Sequence, residues 1–324
     1  MSFGWGVVHT VSPLTVIKDG STNALPVIQS LVDPSSLTVG DMVRVELAQG
    51  GRVVVHGRTD GLGVLSGRNL IINGTFAVVQ RVPVSGASLA LNAYFIDRWQ
   101  SSTTSNAVTW AGDEQGRVVT IPAAKAIKTT LEQRDVPAGA HVLSWTGTAT
   151  ARVYNAGASL PAYAASPVLV TIDGTANVVI EATAGTLSKV KLERGNVATP
   201  HEARPYGEEL GLCQRYYEKS YNLGTAIGTA TNAGAYMSTG NMGASTTSYI
   251  LTALRFQVRK RAAPTILTYD KAGTAGKMTR DNVGVGASSE NASVDYIGET
   301  GARLYCTGSN AQMILFHYTA DAEL

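Results

Sequence analysis

The amino-acid sequence predicts an all-β protein, in which a small barrel precedes two β-sandwich domains. The chain has 34 glycines, and they separate short runs rich in Val, Thr and Ser, a pattern typical of strands and tight turns. Hydrophobic residues make up 44% of the chain and charged residues only 15%, below the ~25% of an average soluble domain. At 324 residues the chain exceeds the usual size of one domain, so several cores are expected.

The first predicted domain covers residues 1–62. Segments 42–47 and 52–56 flank a predicted turn at 49–51, and apolar and charged residues alternate in the first segment, so one face enters a core. The glycine-rich stretch 57–63 marks the end of the domain. A domain this short hides its sheet edges best by closing, so we expect a barrel rather than an open sheet. A Val-Gly-Asp turn leading into a long hairpin resembles OB-fold modules.

The second predicted domain covers residues 67–205. Short apolar runs recur along it without a long amphipathic helix, which indicates a β-sandwich, with a jelly-roll-like topology consistent with the strand count. The dipeptide Asp173-Gly174 predicts a tight hairpin between two of the strands. The predicted strands are 70–72, 117–121, 141–145, 151–154, 168–172, 177–181 and 187–192.

The third predicted domain covers residues 206–324. All four Trp precede residue 206, ten of the thirteen Tyr follow from Tyr206 onward, and Pro200 and Pro205 bound an extended linker, so the boundary lies near 205. A short helix is predicted over 208–217, and strands over 249–258, 265–269 and 311–318. These elements predict a second sandwich.

Charge and cysteine content exclude several classes of protein. The net charge of +2 provides no field for nucleic acid or an anionic membrane. No apolar run approaches the ~20 residues of a membrane span, and residues 1–10 lack the features of a signal peptide, so we expect folding in a cytoplasm. Cys213 and Cys306 are expected to be buried free thiols rather than a disulfide.

No motif for catalysis or metal binding occurs. The five histidines lie far along the sequence from one another and from both cysteines, and neither a nucleophile elbow nor a phosphate-binding loop is present. The adjacent carboxylates Asp113-Glu114 and Glu208-Glu209 are expected on the surface rather than as an acid and base pair. We therefore predict a non-enzyme without a cofactor. A structural calcium ion would suit a sandwich rim, but no run has the carboxylate density to specify one.

Two further groups of side chains have the chemistry to bind a ligand. The basic cluster Arg255, Arg259, Lys260 and Arg261 is expected on the solvated face of a strand rather than in an anion site. Flat aromatic rings suit the apolar faces of sugars, although each such ring is individually more typical of a core. We assign Trp99 to the core. The candidate glycan-binding aromatics are Trp110, Trp145, Tyr154 and Tyr163.

Several strings of the sequence resemble a known family. RNLIINGTF at 68–76 and AYFIDRW at 93–99 resemble the opening of tail-fibre modules similar to carbohydrate-binding jelly rolls. VKLERGNVATPHEARP at 190–205, running into EELGLCQRYYEKSY at 208–221, resembles a junction in bacteriophage tail-fibre and baseplate-associated minor tail proteins. RKRAAPT at 259–265 is similar to a strand and turn of their C-terminal domains. The chain departs from the family at His201, where Phe is usual. These motifs are structural and imply no catalytic residue.

The resemblance implies a virion tail or baseplate protein that folds in the host cytoplasm. Its expected role is host adhesion: non-catalytic binding of a cell-surface saccharide, with residues 1–62 attached to other tail proteins and loops such as 236–247 displayed. A homotrimer is expected, without bound nucleic acid or membrane insertion. The alternative is a purely structural tail protein that packs on neighbouring subunits. A depolymerase is disfavoured because no β-helix repeat occurs.

Overall fold

In the residues that it describes, a computed structural model shows 22 β-strands and one α-helix, which confirms the all-β prediction. The chain has two compact units: residues 1–68 with 193–202, and residues 69–192 with 203–324. The predicted turn at 49–51, and most of the predicted glycine-rich stretch and of the 236–247 loop, lie outside the described residues. The structure describes residues 2–18, 21–31, 34, 37, 39, 41–48, 52–58, 69–239, 248–282, 286–308 and 313–324.

The first unit contains the predicted small barrel. Its strands close in the order β1-β2-β3-β5-β4, with β3 and β5 parallel and β4 paired back onto β1. Closure leaves no free sheet edge, as in OB-fold modules. The predicted alternation is confirmed, because Val43 and Val45 are buried while Arg44 is exposed. The strands are β1 Ser2–Val11, β2 Leu14–Lys18, β3 Ala24–Ser30, β4 Met42–Ala48 and β5 Arg52–Arg58.

The first half of the second unit is an eight-stranded sheet that folds over one core. The strand order is β12-β10-β13-β9-β7-β6, with β8 on β9 and β11 on β13. Strand β9 pairs with β8 near its start and with β7 near its end. The core that the sheet covers includes the buried side chains Phe76, Trp99 and Leu143. The strands are β6 Tyr94–Ile96, β7 Trp99–Ser101, β8 Thr109–Asp113, β9 Gly116–Leu131, β10 Gly139–Thr146, β11 Thr150–Asn155, β12 Val168–Ile172 and β13 Val178–Arg194.

Most strands predicted in this half are confirmed, with two corrections. Residues 70–72 form a turn that buries Ile71 rather than a strand. The hairpin predicted at Asp173-Gly174 is wrong, because β12 pairs with β10 and not with β13. The Asp173 carboxylate accepts hydrogen bonds from the Thr175 amide and hydroxyl, both at 2.8 Å, so the chain turns there without pairing the flanking strands.

The second half of this unit is a further sandwich, as predicted. A six-stranded sheet, in which β22 pairs with β14, β15, β17 and β18, packs against the three-stranded sheet β16-β21-β20. The helix and strands are α1 Tyr206–Gln214, β14 Tyr217–Lys219, β15 Tyr236–Thr239, β16 Ser248–Arg255, β17 Thr265–Tyr269, β18 Lys277–Asn282, β19 Gly286–Asn291, β20 Ser293–Asp295, β21 Gly301–Gly308 and β22 Met313–Asp321.

The predicted helix is confirmed with shifted ends, because it begins at Tyr206 directly after Pro205, which stands at its N-cap. Cys213 and Cys306 are free and buried, as predicted. Within the described residues, no helix has the length and apolar character needed to span a membrane.

The solvated strand face predicted for the basic cluster is wrong for two of its members. The alternating pattern does not extend past Arg255, where β16 ends. Lys260 is fully buried, and its Nζ lies 2.5 Å from a Glu218 carboxylate that also accepts a bond from the Tyr318 hydroxyl. Arg261 donates from Nε to the Ala322 carbonyl at 2.7 Å.

The two halves of the second unit meet at a group of charged side chains, here called the C-terminal clasp: Arg81, Arg98, Asp321 and Glu323. Three of these side chains are at most 10% exposed, whereas the Asp321 carboxylate is 43% exposed. Arg98 pairs with Glu323, and both side chains are at most 5% exposed. Arg81 lies 3.2 Å from Asp321 and 3.4 Å from Glu323. The hydroxyl of Tyr94 donates to the carbonyl of Leu324 at 3.1 Å. The last residues of the chain are therefore fastened to the first sandwich.

Candidate ligand-binding cleft

The structure distributes the predicted aromatic residues between core and surface. Trp99 is fully buried, as predicted. Trp145 is only 7% exposed, belongs to the same core, and donates from Nε1 to the Ala149 carbonyl at 3.0 Å. A ring in this position presents no face to a ligand, so the proposal of Trp145 as a platform is corrected. The reason is that Trp145 lies on the inward face of β10.

Trp110 lies in β8, half-buried, at the edge of the same core. Its ring is 5.8 Å from that of Phe95, and its amide donates to the Ser85 hydroxyl at 3.0 Å. The hairpin of β8 and β9 that carries it is tight: Gly112 has φ of 112°, and a Cβ there would lie 2.4 Å from the Gly116 carbonyl oxygen. Glycine is required at this position. The hairpin fixes Trp110 and Arg117 on opposite strands near one another.

Trp110 lines a cleft of about 220 Å³, here called the Trp110 cleft. Its walls come from both halves of the second unit, since Tyr206 begins α1 and Leu223 follows β14. Aromatic and aliphatic side chains form most of the lining, and one carboxylate and one guanidinium are added to it. The lining residues are Ala77, Val79, Val82, Pro83, Trp110, Glu114, Arg117, Tyr206, Leu223 and Gly224.

The polar groups of the cleft are arranged for hydrogen bonding. Arg117 donates from Nη1 to the carbonyls of Phe76 and Ala77 at 2.8 and 2.6 Å, which fixes its guanidinium. Among the described residues, neither Arg117 nor the exposed Glu114 has an ion-pair partner. Like any tyrosine, Tyr206 keeps its hydroxyl proton at neutral pH and can donate a hydrogen bond. Burial, together with the Glu114 carboxylate, raises the pKa of Tyr206 further.

Tyr154 and Tyr163 lie together in a different place, around Arg152. The guanidinium of Arg152 is 4.2 Å from the centre of the Tyr163 ring, and its Nε and Nη2 donate to Glu181 at 2.8 and 2.6 Å. Burial and the neighbouring Glu181 carboxylate raise the pKa of Tyr163 to about 12. The Tyr154 hydroxyl is 3.5 Å from the same carboxylate. The polar groups of this Tyr-Arg cluster bind mainly one another, which leaves fewer of them for a ligand.

The carboxylates at the tip of the β8–β9 hairpin belong to no metal centre in the part of the chain that the structure describes. No group of three or more metal-ligating side chains occurs there. Asp113 accepts a hydrogen bond from the Gln115 amide at 2.9 Å and so closes the tip of the hairpin. Its neighbour Glu114 is the one carboxylate among the described residues that line the Trp110 cleft.

Sequence reasoning missed Tyr206, Glu114 and Arg117 as members of the site. The spacing of Trp110, Glu114 and Arg117 around two glycines predicts a tight hairpin that gathers them, and this pattern was available in the sequence. Tyr206 offered no such pattern, because it reaches the cleft only through the packing of the two halves.

Comparison with known proteins gives distant similarity only. No protein-family model matches the chain, and no curated protein matches it either. Among solved structures, discoidin II of Dictyostelium discoideum aligns with 80% of this chain and 94% of its own length, at 10% identity and a TM-score of 0.21. A cycloisomaltooligosaccharide glucanotransferase of Paenibacillus sp., complexed with cycloisomaltoheptaose, aligns with 76% of this chain at 12% identity and a TM-score of 0.19. The chain spans 46% of that enzyme.

Proposed function

We propose that this chain is a non-catalytic saccharide-binding protein and that the Trp110 cleft is its binding site. The observation that carries the proposal is the convergence of two aromatic rings, one carboxylate and one guanidinium on a single concave surface. A sugar ring needs an apolar face to stack on and polar groups for its hydroxyls. The cleft of about 220 Å³ is smaller than the ~300–1,000 Å³ of drug-sized sites, which suits one sugar ring.

We also propose that the protein belongs to the tail or baseplate of a tailed bacteriophage and attaches it to a host saccharide. The resemblance of residues 190–221 to the junction of tail proteins supports this assignment. The order of a closed barrel, a sandwich and a further sandwich is compatible with an attachment module followed by a receptor-binding head. A homotrimer on the tail axis would add avidity to three weak sites.

The test is binding of the full chain to an array of bacterial surface saccharides. Glu114→Gln keeps an exposed side chain of the same shape and should fold normally, while Trp110→Ala removes the stacking surface. We expect both variants to lose affinity, Trp110→Ala by at least about tenfold, as for a central aromatic contact. Trp5→Ala is the matched control, because Trp5 is an exposed tryptophan in the other compact unit.

Two results would contradict the proposal. One is the absence of binding to every saccharide on the array. The other is binding that Trp110→Ala and Glu114→Gln leave unchanged while circular dichroism shows both variants folded.

A purely structural role in the virion is the second candidate. Four apolar side chains on the outside of the barrel are 40–52% exposed: Trp5, Val7, Val11 and Met42. Val7 and Met42 are cross-strand partners, so they form a continuous apolar surface of the kind that packs on other proteins. Virions carrying Trp110→Ala would separate the roles: normal adsorption to the host supports the structural role, and lost adsorption supports adhesion.

A further inference from the structure

A second cleft lies beside the first, on the other side of the β8–β9 hairpin tip. It measures about 310 Å³ and shares Arg117 with the Trp110 cleft. Its lining is mainly polar, unlike that of the Trp110 cleft. The lining residues are Thr75, Asp113, Gln115, Gly116, Arg117, Val118, Ser188 and Lys189.

Positive charge predominates in this polar cleft. Arg117 and Lys189 contribute two cations, and Asp113 contributes the one carboxylate. That carboxylate already accepts the Gln115 amide at 2.9 Å. Lys189 is exposed and has no carboxylate partner among the residues that the structure describes. The cleft therefore has an amine and a guanidinium available for an anion, together with hydroxyl and amide groups.

The backbone at Lys189 is strained. Its φ is 51°, in the left-handed region that side chains other than Gly, Asn and Asp rarely adopt. Strained backbone conformations of this kind cluster at active sites, ligand clamps and switch regions. The unusual conformation occurs at the residue whose amine lines the cleft.

We propose that the polar cleft is a subsite for an acidic sugar, one that bears a carboxylate, in a saccharide whose neighbouring ring occupies the Trp110 cleft. This inference rests on the proposed function and specifies its ligand class. Lys189 pairs with the sugar carboxylate at the rim of the polar cleft. Arg117, which lines both clefts, donates hydrogen bonds to oxygen atoms of the saccharide where its two sugar rings are joined. Asp113 closes the hairpin tip beside the polar cleft. Its carboxylate would repel a second negative charge on the ligand, so the cleft disfavours a sugar with more than one negative charge.

The test uses the full chain and an array on which each acidic bacterial saccharide is printed beside its carboxyl-reduced, neutral form. We expect about threefold to fivefold tighter binding of the acidic member, because an ion pair at an exposed rim contributes modestly. The preference should shrink as salt rises from about 0.05 to 0.5 M, owing to screening. Lys189→Met should abolish the preference, and Lys189→Arg should retain it. Lys271→Met, at an exposed lysine elsewhere in the same unit, is the control and should leave it unchanged.

The outcomes separate this inference from the proposed function. Equal binding of acidic and neutral members, with loss of both in Trp110→Ala, overturns the acidic subsite and leaves the proposed function standing. A preference that survives in Lys189→Met also overturns the subsite. No binding to any member overturns both.

Discussion

Replacing Glu323 with glutamine removes one charge from the C-terminal clasp and is expected to destabilise the second compact unit. The glutamine keeps the size of the side chain and its ability to accept a hydrogen bond, so the change isolates the charge. Arg98, which is 3% exposed, then lies in the interior without a carboxylate partner. An unpaired buried charge is among the more expensive defects that a protein can carry.

The surroundings of the two arginines limit the size of the effect. Removing one partner of a buried ion pair typically costs about 3–5 kcal/mol. Arg98 still donates to the Thr130 carbonyl and still lies 3.5 Å from the centre of the Tyr216 ring. Arg81 keeps Asp321 at 3.2 Å. The lower end, about 3 kcal/mol, is therefore expected. In a unit of roughly 250 residues this loss lowers the Tm by about 6–12 °C.

Unfolding of the full chain by guanidinium chloride and by heat, followed by tryptophan fluorescence, measures the effect. Three of the four tryptophans lie in the second unit, so they report on it. Glu299→Gln is the matched control, because Glu299 is 40% exposed and pairs with an exposed arginine, so its loss should cost less than about 1 kcal/mol. Adding Arg98→Met to Glu323→Gln should restore part of the stability. If Glu323→Gln and Glu299→Gln unfold alike, the clasp does not hold the two halves together.

Three further predictions concern the interior. Burial lowers the pKa of His317, so as the pH falls the unfolded chain binds a proton at this residue before the folded chain does. The free energy of unfolding should therefore fall as the pH drops below about 6.5. In denaturant titrations at a series of pH values, His317→Asn should lack this contribution to the pH dependence. Lys260→Met should cost about 3–5 kcal/mol in the same titrations, because the buried Glu218 carboxylate loses its cationic partner and keeps only neutral hydrogen-bond donors such as the Tyr318 hydroxyl. Adding Glu218→Gln should recover part of this loss. Gly74→Ala places a Cβ 2.2 Å from a carbonyl oxygen of β13, so the Tm of this variant should fall markedly. Gly207→Ala is the control, because no atom lies within 4 Å of the added Cβ, and it should not lower the Tm.

The features that the sequence predicts well are those that depend on neighbouring residues. Alternation along residues 42–47 predicts the buried and exposed faces of β4, because a strand places successive side chains on opposite faces. The helix after Pro205 is predicted from local pattern, as are the burial of Trp99 and of both cysteines. Each of these outcomes needs only a few residues of context.

The features that sequence reasoning misses depend on pairing between distant segments. Asp173-Gly174 makes a turn, yet the partner of β12 is β10, and no local pattern records that choice. Lys260 resembles a surface residue because its partner Glu218 lies far away in the sequence. Trp110 and Trp145 both lie in strands, and only the way the sheet folds over its core separates the cleft residue from the buried one.

The position of the Trp110 cleft connects its binding geometry to the clasp. Trp110 and Arg117 belong to the first half of the unit, while Tyr206 and Leu223 belong to the second. A cleft with walls from two halves keeps its shape only while those halves remain packed. The clasp fastens the last residues of the chain to the first half mainly through the buried Glu323 carboxylate, which pairs with Arg81 and Arg98, and these buried charges are costly to desolvate. Under the proposed function, the clasp keeps the binding site preorganised, and this offsets the desolvation cost. Cleft walls that are already in place need no ordering when a sugar binds.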